Sequence, residues 1–257
     1  VTGDRRRIRV WRPGSVDEDD VCGEEPLEVR VEDQSVSVTL RTPGHDRELA
    51  AGLLLSLGIL ERPDDLTALE PLAGDPLGNT VVARVAGGVE AHTERIRSSA
   101  RAFFSSSACG VCGGAALPRI AAQAPPIRPW RPDDALLEAL APALDGELFA
   151  ATHGAHVAAL VSRSGRVEVL REDIGRHNAV DKVIGHRFLA GRVPVDDALL
   201  LVSARAGFEI VHKARVAGIP AVVAVGAAST LAVDLARSAG MALVGFLRAR
   251  TWTRYTE

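Results

Sequence analysis

Three short runs in the second half of the chain, residues 198–203, 221–225 and 241–247, are apolar almost without interruption. They limit the fold more than any other feature. A strand without alternation has to be buried on both faces. Helical stretches separate the runs: one from about Phe208 to Ala217, closed by Gly218 with Pro220 beyond, and one over Thr230–Ala239. Upstream, His156–Ser162 and 167–171 flank Arg163-Ser164-Gly165-Arg166 and predict a hairpin. A helix is predicted over Arg176–Leu189. This order predicts an α/β unit, a sheet with helices on both faces. Ligands of such sheets sit at strand ends and helix starts.

The first half reads differently. Residues 1–24 are charged, with an acidic cluster at Asp17-Glu18-Asp19-Asp20, and predict an irregular, solvated arm. Segments 27–31 and 35–40 alternate around Glu32-Asp33-Gln34, a hairpin signal. Over 46–58, Leu49, Leu53 and Leu57 fall at helical spacing. Residues 79–85 predict another strand, and Gly87-Gly88 a turn. Together these make a small α+β unit. The stretch Ala124-Pro125-Pro126-Ile127-Arg128-Pro129-Trp130-Arg131-Pro132 is too stiff for helix or central strand. The boundary is drawn there, giving units of 1–123 and 124–257. Asp133 or Asp134 then caps a helix reaching about Leu144.

Composition narrows the function classes. A net charge of −3 gives no electrostatic case for nucleic acid. Of 30 Lys and Arg residues only Lys182 and Lys213 are lysine, so the positive charge is nearly all guanidinium, the better planar donor to phosphate. Three cysteines make no disulfide framework. With no secretory leader and no apolar run of about 18 residues, the expectation is a cytoplasmic protein with reduced thiols and no membrane span.

Two of the cysteines lie in Ser105-Ser106-Ser107-Ala108-Cys109-Gly110-Val111-Cys112-Gly113-Gly114. Small residues without helix or strand preference predict a loop that carries two thiols into the open. A zinc site would have only Cys22 and some histidines left to complete it, and no metal site is assigned. A thioredoxin-like pair would open a helix after a strand, and the Ser and Gly flanks make that context weak here. A deaminase zinc site would need His-x-Glu and Pro-Cys-x-x-Cys, and both His-x-Glu and the proline are missing. A sulfur carrier needs an exposed thiolate on a loop able to visit two partners. From spacing alone, carrier and redox roles rank equally.

Further polar residues crowd three junctions of the second half. In Arg171-Glu172-Asp173-Ile174-Gly175-Arg176-His177-Asn178-Ala179-Val180-Asp181-Lys182, Gly175 lets backbone approach a ligand and helix amides with Arg176 suit a phosphate. Asp181 or Glu172 is a candidate acceptor for a base edge such as guanine. The second junction is Val202-Ser203-Ala204-Arg205-Ala206-Gly207-Phe208-Glu209. The third is Gly245-Phe246-Leu247-Arg248-Ala249-Arg250-Thr251, where two arginines after a buried strand suit a diphosphate. For each residue alone, a capped helix start or an exposed strand end is the plainer reading. His153 and His156 are placed near the same cleft, with core or capping roles as the alternative.

Taken in order, these segments resemble the formate dehydrogenase accessory sulfurtransferases (FdhD-type). The resemblance rests on Arg41-Thr42-Pro43-Gly44-His45-Asp46-Arg47-Glu48-Leu49-Ala50 with Gly52, on Cys109-Gly110-Val111-Cys112-Gly113, on Glu172 to Lys182, on Ser203 to Lys213, on Ala217-Gly218-Ile219-Pro220 and on Leu243-Val244-Gly245-Phe246. It covers almost the whole chain, with departures at Ala108, at Thr152-His153-Gly154-Ala155-His156 and at Ala204-Arg205. The resemblance implies a C-terminal unit similar to cytidine deaminase, a three-layer α/β/α domain with a mixed sheet. It implies a homodimer that takes persulfide sulfur from a cysteine desulfurase. The sulfur passes to the molybdenum (or tungsten) cofactor in its bis(molybdopterin guanine dinucleotide) form, before that cofactor enters formate dehydrogenase. Cys109 would carry the persulfide, and Cys112 would be the second cysteine of the loop. Thiol chemistry, not the resemblance, suggests that Cys112 releases the sulfur by attacking the inner sulfur and closing a disulfide. The family's cofactor-binding segment maps onto Phe246, Leu247, Arg248, Ala249, Arg250 and Thr251, and the chemistry of the junctions read above adds Gly175, Arg176, His177, Asp181 and Arg205 as candidate cofactor contacts. The rival classes are a cofactor-protecting chaperone without catalysis and a dithiol oxidoreductase.

Overall fold

The computed structural model describes residues 3–103 and 124–256. Cys109 and Cys112 lie outside the described residues.

The N-terminal charges organise a hairpin rather than an irregular arm. Strands β1 (Arg5–Arg12) and β2 (Ser15–Cys22) pair antiparallel, with Arg7 opposite Asp20 and Arg12 opposite Ser15. The basic strand meets the acidic one: Arg7 contacts Asp20 at 3.2 Å, and Arg12 contacts Asp19 at 2.7 Å and Asp17 at 3.3 Å. Pro13-Gly14 makes the turn, with Gly14 at φ 81° as a type II turn requires. Opposite charges across a ladder favour pairing, a signal that a one-dimensional count of charges hides. As expected, most of the arm faces solvent.

The next strands, β3 (Glu25–Val31) and β4 (Gln34–Arg41), form the predicted hairpin, and α1 (Asp46–Ser56) follows. Next come β5 (Leu66–Pro71), β6 (Thr80–Val85) and α2 (Gly88–Phe103), giving a four-stranded sheet of order β4-β3-β6-β5. Sequence reading missed β5 and α2. The first is a short strand ending in proline, and the second starts at Gly88, within the glycine pair read as a turn.

After the Pro-rich stretch, Asp133 caps α3 (Asp134–Leu140) by accepting from the Leu136 N–H at 2.8 Å, and a 3₁₀ turn continues over Ala141–Leu144. Helix α4 (Glu147–Thr152) is short. The large sheet then alternates with helices: β7 (His156–Ser162), β8 (Val167–Asp173), α5 (Arg176–Leu189), β9 (Ala198–Val202), α6 (Phe208–Val216), β10 (Ala221–Ala224), α7 (Thr230–Ala239), β11 (Ala242–Gly245) and β12 (Thr253–Arg254). Its order is β12-β11-β10-β9-β7-β8. Strands β9, β10 and β11 are parallel, while β7 runs against both β8 and β9. So β8 points the same way as β9, β10 and β11.

The uninterrupted apolar strands are covered on both faces, as expected. Ala198, Leu200 and Val202 of β9 pack into the core shared with α5, α6 and α7. Leu199 and Leu201 face the other way, against Leu137 and Leu140 of α3 and against Trp130 and Trp252. The first of these cores continues without a break into the N-terminal part, through Leu49, Leu53 and Leu54 of α1 to Leu27, Val29 and Val31 of β3. Each such aliphatic side chain contributes about 1.5–3 kcal/mol of burial. The seam is a close crossing of α1 and α5. A Cβ on Gly52 would collide with the Asp181 carbonyl, and one on Gly185 with that of Glu48.

Candidate functional site

Because β8, β9, β10 and β11 run the same way, their C-terminal ends lie along one edge of the sheet. Helices α5, α6 and α7 start there, and β7 begins there with His156. The topology thus brings Gly175, Arg176 and His177, then Arg205, then Phe246 to Thr251, to a single edge, although they are spread over more than a quarter of the chain.

Backbone contacts lace these segments together. Gly226 N–H donates to Ala204 O and Phe246 N–H to Gly226 O, each at 3.0 Å. Only glycine fits at 226 and 245: a Cβ on Gly226 would lie 2.8 Å from Arg205 Cα, and one on Gly245 2.9 Å from Gly226 O. The chain then turns through Phe246 at φ 53°, a left-handed conformation that is strained for an aromatic residue. The Phe246 ring is 46% exposed, whereas Leu247 is buried in the core beneath the edge. Its side chain therefore lies away from any ligand at the surface. The Arg248 guanidinium donates to Val225 O at 2.8 Å and to Leu247 O at 2.7 Å, and the Arg248 N–H donates to Thr251 O, closing a turn around Ala249 and Arg250. Arg205 and Arg250 are exposed and Arg176 half-buried.

Two helix starts at this edge lack side-chain caps. Helices α5 and α6 begin after Gly175 and Gly207 with no capping side chain, whereas Ser229 caps α7 by accepting from Ala232 N–H at 3.3 Å. Uncapped amides at a helix N-terminus beside exposed guanidinium groups suit an anion such as a diphosphate. The residues present therefore fit an anionic ligand.

Asp181 is placed differently from the reading of it as a base-edge acceptor. It is 1% exposed, a turn below the edge, and its carboxylate takes both Lys213 Nζ contacts, at 2.7 and 2.8 Å, and the Ser56 hydroxyl at 2.9 Å. Burial pushes its carboxyl up, opposed by Lys213 and Ser56. Glu172, the other candidate acceptor, is also taken. Its oxygens accept from Leu148 N–H at 3.0 Å and Phe149 N–H at 2.7 Å, capping α4.

A second buried network, which sequence reading missed, locks the β8–α5 junction to the N-terminal part. Lys182 Nζ contacts Asp173 Oδ2 at 2.8 Å and donates to Thr42 O at 2.9 Å and Glu172 O at 3.1 Å. Asp173 accepts from Gly175 N–H and from Asn178 Nδ2, and the Thr42 hydroxyl accepts from Ile174 N–H at 3.0 Å. The chain's two lysines are thus both buried against aspartates, and their rarity was the available signal. Above this network, a cleft of about 380 Å³ is lined by Thr42, Pro43, Gly44, His45, Arg171 and Glu172, among others. Arg171 and His186 meet Glu48, at 2.5 and 3.0 Å. Burial pushes the Glu48 carboxyl up, but these bonds outweigh it and hold it low. Cys22 lies beside Thr42, 3.2 Å from its hydroxyl, and burial raises its thiol pKa.

A mixed sheet covered on both faces, with uncapped helix starts and arginines gathered at one edge, defines an α/β protein able to hold an anionic ligand at its strand ends. The model of the FdhD/NarQ family matches residues 22–257, and the chain belongs to that family. Among its relatives, a sulfur carrier protein FdhD of Corynebacterium efficiens is 43% identical over 92% of this chain and 89% of its own length. Another of that name, from Streptomyces avermitilis, is 41% identical over 99% and 94%. A crystal structure from Desulfotalea psychrophila, described as that of a candidate formate dehydrogenase accessory protein, shares the fold, with a TM-score of 0.73 at 22% identity over 98% of this chain and 96% of that one. The expected α/β class is the one observed. Among the described residues no helix is long and apolar enough to cross a membrane.

Proposed function

We propose that this chain is a cytoplasmic sulfur carrier that serves formate dehydrogenase as a homodimer. The observation that carries the reading is the similarity, at 41–43% identity over nearly the whole chain, to proteins named as sulfur carriers, together with an intact Cys109-Gly110-Val111-Cys112. In uptake, the Cys109 thiolate attacks the outer sulfur of a cysteine desulfurase persulfide. That S–S bond breaks, a new one forms on Cys109, and the desulfurase cysteine leaves as thiolate. In release, the Cys112 thiolate attacks Cys109 Sγ and closes a disulfide, and the outer sulfur departs with the bonding pair as sulfide. A cellular dithiol then reduces the disulfide. The acceptor substrate is the molybdenum cofactor in its bis(molybdopterin guanine dinucleotide) form. The strand-end edge supports this choice, because each guanine dinucleotide brings a diphosphate and Arg176, Arg205, Arg248 and Arg250 lie there with two uncapped helix starts. Gly175 itself is taken up, its N–H by Asp173 and its carbonyl by the Ala179 N–H, so the ligand contact at that junction falls to the helix amides and Arg176, and Phe246 offers an aromatic face.

Intact-protein mass spectrometry after incubation with a cysteine desulfurase and cysteine tests the reading. Reductant-labile added sulfur on the wild type, absent from Cys109→Ala, is expected. With an active desulfurase, no added sulfur on the wild type would point to a cofactor-protecting chaperone. A stable disulfide with reductase activity would point to a dithiol oxidoreductase.

A further inference from the structure

The hairpin of β1 and β2 contributes no side chain to the core, and two strands alone are marginally stable in water. What it presents to solvent is ordered. Side chains alternate across a ladder, so Arg7, Arg9 and Trp11 of β1 share one face with Asp20, Glu18 and Val16 of β2, each directly opposite its counterpart. On the other face Arg12 takes up Asp17 and Asp19, and Ile8 and Val10 are half-buried. The first face is open. Trp11 is 75% and Val16 58% exposed, and they stand opposite each other beside the turn. Next to them Arg9 stands opposite Glu18. Both are exposed, and among the described residues neither makes an ion pair, although Arg7 and Asp20, two positions along, do. The face thus carries cations on β1, anions on β2, an apolar tip and one opposed pair of charges left unspent.

We propose that this face docks on the same face of a second copy of the chain, with the two-fold axis running along the hairpin. A partner for it must bring an apolar tip and, beside that, an anion over Arg9 and a cation over Glu18. A second copy supplies all of these by symmetry. Turned about an axis along the hairpin, β1 of one copy lies over β2 of the other at the same level. Trp11 of each copy then covers Val16 of the other, and Arg9 of each meets Glu18 of the other. The alternative two-fold, across the strands, would set β1 on β1 and guanidinium on guanidinium. The interface is isologous, so every contact occurs twice. It is also small. Strands of eight residues are about 27 Å long, and two of them fall well short of the roughly 800 Å² per partner of a standard interface. The expected dimer is therefore weak, anchored by Trp11 and sensitive to salt. The inference rests on the homodimer part of the reading above and is independent of sulfur transfer.

The test is sedimentation velocity on the full chain over a concentration series, at about 0.05 and 0.5 M salt. The wild type should dimerise reversibly, and less well at the higher salt. Trp11→Ser should raise the dissociation constant about 100-fold, because two tryptophans are lost per dimer. Arg9→Glu and Glu18→Arg should each raise it about tenfold. Mixed one to one, those two variants should recover the wild-type constant as a heterodimer, because each then meets the opposite charge. A defect within one hairpin would not be cured by mixing. A mixture that associates no better than either variant alone would overturn the proposed pairing. A wild type that stays monomeric would overturn the homodimer reading and this face with it. A wild-type dimer that all three substitutions leave unchanged would overturn this face alone.

Discussion

His212 is fully buried in α6, its ring stacked on that of Phe208 with centroids 5.9 Å apart. Burial, and then the Lys213 charge, push its pKa down from 6.5 to about 4. Below about pH 6.5 the unfolded chain takes up a proton there that the folded chain refuses until about pH 4. Its contribution is therefore fully present above that window and is lost as pH falls through it, by at most about 1.4 kcal/mol per pH unit. His212→Phe should flatten this slope in urea melts run at a series of pH values. An unchanged slope would place the acid sensitivity in other groups. Asp181 gives a second residue-scale prediction. As the buried partner of Lys213, its change to Asn should cost roughly 3 kcal/mol, and pairing Asp181→Leu with Lys213→Met should recover most of that. If Asp181 instead met the ligand, Asn would leave the melts alone and weaken nucleotide binding.

At the scale of elements, the crossing of α1 and α5 depends on two missing side chains. Gly52 and Gly185 let the helices approach until the carbonyls of Asp181 and Glu48 stand where a Cβ would go. Either Gly→Ala change has to push the helices apart. Because Glu48 also holds Arg171 and His186, the strain reaches β8 and the edge. A loss of at least about 3 kcal/mol is expected for each, beyond the usual cost of overpacking because backbone has to move. A thermal melt would show it, and a near-neutral Gly52→Ala would mean that the helices cross less closely than described. The same helices show what pattern alone can reveal. Thr230–Ala239 and Arg176–Leu189 have the ends expected from their periodicity. β12 has only two residues and exists because β11 offers it an edge, so no local signal marks it.

On the whole-molecule scale, one core runs from β3 through α1 to the large sheet. The Pro-rich stretch marks a change of local architecture, but the apolar face of α5 is covered partly by α1. Residues 124–257 produced alone should therefore lack a cooperative thermal transition, and adding back residues 1–123 should restore it. A sharp melt of the isolated piece would show that the large sheet is self-sufficient. The hairpin of β1 and β2 stands apart from this core, with Trp11 75% exposed.

The sequence by itself determined that β9, β10 and β11 are buried on both faces, because unbroken apolar runs admit no wet side. It also determined that arginines and glycines punctuate the junctions where those strands end. Tertiary structure alone decided which polar residues of those junctions face outward. Asp181 and Arg176 lie five residues apart on one helix, yet one is sealed beneath the edge by Lys213, 32 residues away, and the other is half-open. Thr42 and Asp173, 131 residues apart, are joined in the same way. A charged side chain is pulled inward only where a distant group compensates its desolvation, and that pairing does not exist until the chain has folded.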